Sequence, residues 1–190
     1  WLLHAGVAGW PRIPAALRLV VGVFALWLAW LAVVQAHVVG INFLLSVMTL
    51  VWMADIAAYF AGRTFGLRFT KNKLAPSISP GKSWEGVWGG VAGVLLLALC
   101  WVAADARFQA PVASFYTRLA GQGWWLLLLG VLFMAAMSVV GDLIESLIKR
   151  SAGVKDSSNL LPGHGGVLDR VDALLPTLPL AMMLSTLVTK

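Results

Sequence analysis

Two polar blocks interrupt an otherwise apolar chain of 190 residues, and both carry side chains suited to phosphate chemistry. The first is 70–86, TKNKLAPSISPGKSWEG. Its Gly81-Lys82-Ser83 has the ending of a nucleotide-binding P-loop, but the leading glycine of that pattern falls on Pro76 and no strand context precedes it, so that reading fails. What remains is physical. Ser77, Ser79, Lys82 and Ser83 lie where a helix is expected to begin, and free backbone N–H groups and the helix dipole favour a phosphate there. An ordinary cap and turn is the competing account.

The second block is 141–172, GDLIESLIKRSAGVKDSSNLLPGHGGVLDRVD. It holds Asp142, Glu145, Asp156, Asp169 and Asp172, five of the eight acidic residues, together with Lys149, Arg150, Lys155 and Arg170. If 142–150 is helical, Asp142, Ser146, Lys149 and Arg150 share a face by their i, i+4, i+7 and i+8 spacing. Asp169 and Asp172 share another. Carboxylates at a membrane boundary are costly unless paired or bound to a cation. Their oxygens suit Mg²⁺, which takes one or two carboxylates plus phosphate oxygens. A salt-bridge network with Arg150 and Arg170 is the alternative. Pro162-Gly163-His164-Gly165-Gly166 supplies backbone that can approach a ligand closely. A lone histidine such as His164 is more often structural than a ligand, and no Cys/His cluster suggests zinc.

The elements that must position these groups are membrane spans. Hydrophobic residues make up 60% of the chain and charged residues 12%, against about 25% charged in soluble domains. Residues 86–104 and 123–141 carry no charge, and each approaches the ~20 residues that cross a bilayer as helix. Two further spans fall at 19–36 and 40–62, the latter with the single charge Asp55. A fifth falls at 171–189, interrupted by Pro176 and Pro179. The sequence thus predicts an all-α, polytopic integral membrane protein of about five transmembrane helices, forming one domain over 1–190. The chain begins at Trp1, so further spans upstream are expected. Gly86/Gly90 and Gly89/Gly93 form small-xxx-small pairs, which predict close helix packing. Cys100 lies mid-span as an apolar filler.

With five spans, the segments 1–18, 63–85 and 142–170 fall on one side. They carry eleven Lys and Arg, whereas the opposite side has only Arg107, Arg118 and Lys190. The positive-inside rule makes the first side cytoplasmic. The net charge of +6 therefore meets lipid headgroups and cytosolic phosphates and does not point to nucleic acid.

Ser146-x-x-Lys149-Arg150, then Lys155-Asp156, then Leu161-Pro162-Gly163-His164-Gly165-Gly166-x-x-Asp169-Arg170-x-Asp172 resembles the signature of phosphatidate cytidylyltransferases, also called CDP-diacylglycerol synthases. The fixed spacing makes this match highly specific. Lys73–Pro80 and Lys82-Ser83-x-Glu85-Gly86 resemble that family's other polar block, and the span with Asp55 and Tyr59 fits as well. The similarity runs from about residue 50 to 176.

The resemblance implies a bacterial inner-membrane nucleotidyltransferase with its active site facing the cytoplasm. Its reaction would be CTP plus phosphatidic acid giving CDP-diacylglycerol and pyrophosphate, with Mg²⁺ and room for a second cation. The implied partners are CTP, phosphatidic acid and membrane lipids, with no nucleic acid and a homodimer left open. Asp142, Asp169 and Asp172 would hold metal, with Asp142, Lys149, Arg150, Asp169 and Arg170 catalytic. Ser77, Ser79, Lys82, Ser83, Ser146, Lys155, Asp156, His164, Gly165 and Gly166 would bind substrate. Two rivals stand beside this reading. A CTP-dependent lipid kinase would transfer the γ-phosphoryl to an alcohol, and a transporter would move an anion without consuming nucleotide.

Overall fold

In the computed structural model the described residues are 14–70, 73–154, 156–158, 160 and 166–188. Four helices are long and apolar enough to cross a membrane: α1 (Ala15–Val39), α2 (Ile41–Phe65), then, after a short hairpin, α3 (Trp84–Phe108), and α5 (Trp124–Ser151). A short amphipathic helix, α4 (Phe115–Gln122), links α3 to α5. The chain ends in α6 (Leu168–Val171) and α7 (Leu174–Val188). It is an all-α, polytopic membrane protein, as its composition predicts. The fifth apolar segment is shorter than expected. Its 15 helical residues rise about 22 Å, against the ~30 Å of a bilayer core.

α2 and α3 pack more extensively than any other pair of elements, and their small residues explain it. A Cβ added at Gly89 would stand 2.1 Å from Ala61 Cβ, and one at Gly93 would stand 2.5 Å from Ala57 Cβ. Nothing larger than glycine fits without separating the helices, so the small-xxx-small pairs do serve close packing. The main core is then filled by Phe43, Leu50, Val94, Phe115, Tyr116 and Met134, all fully buried. α7 closes the bundle against α1 and α5. Its seat on α5 is Gly141, where an added Cβ would lie 2.7 Å from Pro176 and 3.3 Å from the Ala173 Cα.

Each end of the bundle carries a different polar arrangement. At the α1–α2 and α3–α4 turns, the buried Asp105 accepts from Asn42 Nδ2 (2.9 Å), the Ser114 backbone N–H (3.0 Å) and the Thr117 hydroxyl (2.6 Å). Asn42 also donates to the Val112 carbonyl and accepts from Trp101 Nε1. A buried carboxylate so satisfied acts as a structural staple.

At the other end a two-stranded antiparallel hairpin, β1 (Lys73–Ala75) and β2 (Ser79–Ser83), replaces the simple helix start expected over 70–86. Leu74, Ala75 and Ile78 bury themselves against Leu143 and Leu147 of α5. Ile144 and Ile148, one position further round that helix, stay exposed.

Candidate active site

α5 does not stop at the membrane boundary expected near residue 141. At about 42 Å long it outreaches a bilayer core, and its last turns carry Asp142, Glu145, Ser146, Lys149 and Arg150 beyond the apolar stretch. The hairpin docks on these turns through Leu143 and Leu147. That places Lys82 of β2 against Asp142, and the two form an ion pair across a cavity wall. Ser146 donates weakly to the same carboxylate at 3.4 Å.

The hairpin is fixed at its entry as well as its base. Glu85, buried in the first turn of α3, accepts from the Phe69 and Thr70 N–H groups and the Thr70 hydroxyl at 2.7–3.1 Å. Ser83 is the N-cap of α3 and accepts from Gly86 N at 3.2 Å. Lys82 is therefore held at a capped helix N-terminus, a site that favours anions.

The cavity beneath the hairpin has a volume of ≈ 390 Å³ and lies between α2, α3 and α5. Its polar lining is Asp55, Tyr59 and Arg63 from α2, Lys82 and Ser83 from the hairpin, and Asp142 from α5. Ala58, Val91, Ala135 and Val139 line its apolar part. Asp172 also belongs to this neighbourhood: burial pushes its carboxyl above the ordinary range, and the nearby Asp142 carboxylate adds to that. The seat of Pro176 and Ala173 on Gly141 accounts for this, since Asp172 and Asp142 adjoin that contact in sequence.

A second polar cluster stands two turns further along α5. Lys149 bridges Glu145 (2.5 Å) and Asp169 (2.7 Å). Asp169 also accepts from the Ser157 backbone N–H and hydroxyl (both 3.0 Å) and from Gly166 N (2.7 Å). Burial opposes its ionisation. The Lys149 ammonium and the Gly166 and Ser157 N–H groups outweigh that and hold its carboxyl well below the ordinary range.

Several sequence expectations change on this geometry. Ser77 and Ser79 belong to the hairpin and do not line the cavity, so only Lys82 and Ser83 of that group reach it. Asp142 and Asp169 take different partners, Lys82 and Lys149, and do not share one ion pair. Among the described residues the ion pairs to these carboxylates come from Lys82 and Lys149, and Arg150 forms none. Arg150 instead points its Nε at the Ile78 carbonyl, at 3.5 Å. Asp156 is exposed. Lys155, His164, Gly165 and the side chain of Arg170 lie outside the described residues.

The sequence alone assigns no site role to Asp55, Tyr59, Arg63 or Glu145. The first three were nonetheless legible as a polar stripe at i, i+4 and i+8 in an apolar span. Glu145 stands one turn before Lys149, a spacing that favours a pair.

Charged side chains converging on a cavity among apolar helices, beneath a hairpin rich in serine and lysine, define a polytopic membrane protein with a polar cavity between its spans. Comparison with known proteins narrows the class: the cytidylyltransferase family pattern matches residues 8–188, so the chain belongs to that family. It is 45% identical to a phosphatidate cytidylyltransferase of Pseudomonas aeruginosa over 164 residues, covering 85% of this chain and 55% of that protein. It is 49% identical over 140 residues to the enzyme of that name from Haemophilus influenzae (74% and 44%). For the Bacillus subtilis enzyme the figures are 38% over 148 residues (78% and 49%). The chain thus spans about half the length of the curated relatives it matches.

Proposed function

We propose that this protein transfers CMP from CTP to phosphatidic acid, giving CDP-diacylglycerol and pyrophosphate for phospholipid synthesis. The observation that carries this reading is the convergence of both polar blocks, through the Lys82–Asp142 pair, on one cavity between three spans. The relatives bear the name of that activity.

A phosphate oxygen of phosphatidate attacks the α-phosphorus of CTP. The bond from that phosphorus to the oxygen bridging the α- and β-phosphates breaks, pyrophosphate leaves, and a new phosphoanhydride joins CMP to the lipid. One anhydride replaces another. The nucleophile is already an oxyanion at neutral pH, because the second ionisation of a phosphomonoester lies near ~6. No general base is needed. The barrier is mutual repulsion of two polyanions, which is met by fixed cations and by N–H groups that need no reorganisation. Lys82 and the α3 N-terminus, Lys149, and the basic residues Arg150, Lys155 and Arg170 are the groups we assign to that task. Ser146 braces Asp142.

Mg²⁺ belongs to the same proposal. Among the described residues no three acidic, histidine or cysteine side chains form a cage by themselves. A magnesium ion arriving on a triphosphate needs only one or two carboxylates. Asp142 and Asp172, which adjoin the contact of Gly141 with Ala173 and Pro176, suit that role, with Asp169 as the third candidate. When bound, the ion would neutralise triphosphate oxygens.

We place this site at the cytoplasmic face of a bacterial inner membrane. Supporting this are the eleven-to-three distribution of Lys and Arg and the bacterial sources of the relatives. The test uses the full-length protein with CTP labelled at the α- or the γ-phosphate. The α-label should enter the lipid fraction only when phosphatidic acid is present, and the γ-label should leave as pyrophosphate. Transfer of the γ-label to lipid would identify a lipid kinase, and flux without nucleotide consumption would identify a transporter.

A further inference from the structure

Lys82 is matched by Asp142, and Lys149 by Glu145 and Asp169. Arg63 is the basic side chain lining the cavity that has no carboxylate partner among the described residues. Its Nη1 donates to the Tyr59 hydroxyl oxygen at 3.1 Å. That leaves most of its donor fork free, and the Tyr59 O–H can still donate.

The two residues stand at the exposed rim of the cavity. Both are exposed, with Tyr59 59% accessible, and neighbouring Ile56 and Phe60 are 54% and 60% accessible on the same apolar helix. Arg63 lies two residues before the end of α2, the depth of lipid headgroups. Asp55 lines the same cavity about 12 Å deeper along the helix and repels any anion that descends further.

We propose that Arg63, with Tyr59 beside it, binds the phosphomonoester headgroup of the lipid substrate as it enters laterally between the spans, while the Lys82–Asp142 side serves the nucleotide. A planar guanidinium grips two phosphate oxygens at once, and the tyrosine hydroxyl donates to the third. The acyl chains then remain in the bilayer, and the headgroup alone turns into the cavity. This assignment rests on the phosphatidate reading above.

The experiment uses purified full-length protein in mixed micelles, varying phosphatidic acid and CTP separately. Arg63→Ala should raise the KM for phosphatidic acid about tenfold or more and leave that for CTP within about twofold. Arg63→Lys, which keeps the charge and loses the fork, and Tyr59→Phe should each give a smaller rise in the same parameter. Arg68→Ala, outside the cavity, should change neither. Calorimetric binding of a short-chain phosphatidic acid to wild type should weaken by the same factor in Arg63→Ala, and inorganic phosphate should compete poorly. The proposal is overturned by an unchanged phosphatidate affinity, by a rise in the KM for CTP instead, or by inorganic phosphate binding as well as the lipid. Binding is read without turnover. A wild type that binds phosphatidate through Arg63 yet makes no CDP-diacylglycerol would remove the reaction and leave the subsite standing.

Discussion

Lys82 and Asp142 are 60 residues apart in sequence and meet as an ion pair on the wall of one cavity. Their side chains are 25% and 29% exposed, so the pair adds about 1 kcal/mol or less to stability. An arrangement that depends on a docked hairpin, a capped helix and an overlong span, yet stabilises so little, is better explained by what the charges do to a substrate.

The close contact of α2 with α3 is the first thing to test, because it sets the width of that cavity. Gly89→Ala should push the helices apart and cost about 1–3 kcal/mol through overpacking, with reduced turnover as the α2 wall moves away from Lys82. Gly22→Ala, with nothing within 4 Å of the added Cβ, should be neutral or slightly stabilising. Thermal unfolding in detergent separates the two. Equal melting temperatures for Gly89→Ala and wild type would contradict the packing described.

Asp169 ties Ser157 and Gly166 to the start of α6. Asp169→Asn should speed hydrogen exchange of the Ser157 and Gly166 amides and lower the melting temperature. The sign of its pH dependence follows from a depressed pKa. The stabilisation is fully present above the ordinary carboxylate value of 3.8 and is lost only as pH falls through the lower folded value. The gap between wild type and variant should therefore hold from neutrality down past pH 4 and close only in stronger acid. A gap that closed near pH 6 would show that another group holds the segment.

Much of this was legible in the sequence. Uncharged runs of about 20 residues gave the spans, and the glycine spacing in 86–93 gave their closest contact. The two polar blocks were recognisable because charges beside apolar spans are expensive. The pairing of particular charges was not legible. Lys82 finds Asp142 only because Leu74, Ala75 and Ile78 bury a hairpin on α5, a tertiary contact that no local pattern encodes. The three-residue strand β1 is too short to show alternation. The charges from residue 142 to 150 left helix and loop both open, and Leu143 and Leu147, buried one turn apart, keep the run helical.

Topology is checked by single cysteines in a Cys100-free background. Positions 73 and 156 should be labelled by a membrane-impermeant thiol reagent from the cytoplasmic side alone, and position 107 from the opposite side alone. Labelling of 73 and 156 from opposite faces would separate the two polar blocks and break the site.

The metal proposal predicts a shifted requirement. Asp172→Asn and Asp142→Asn should raise the Mg²⁺ concentration for half-maximal activity about tenfold or more, as loss of a ligand does. Asp105→Asn, at the opposite end of the bundle, should not. Variants with reduced melting temperature and unaltered Mg²⁺ dependence would reassign those carboxylates to structure.

Lys82 and Asp142 should act at one place, and their coupling can be measured. Turnover of labelled CTP with phosphatidic acid should be measured for wild type, Lys82→Ala, Asp142→Asn and the double variant, all purified in equal yield. Each single change should lower kcat by about a hundredfold or more, and the double variant should be little worse than the poorer single, because each residue's effect depends on the other. Losses that multiply, or a single variant with near-normal kcat, would contradict a shared site.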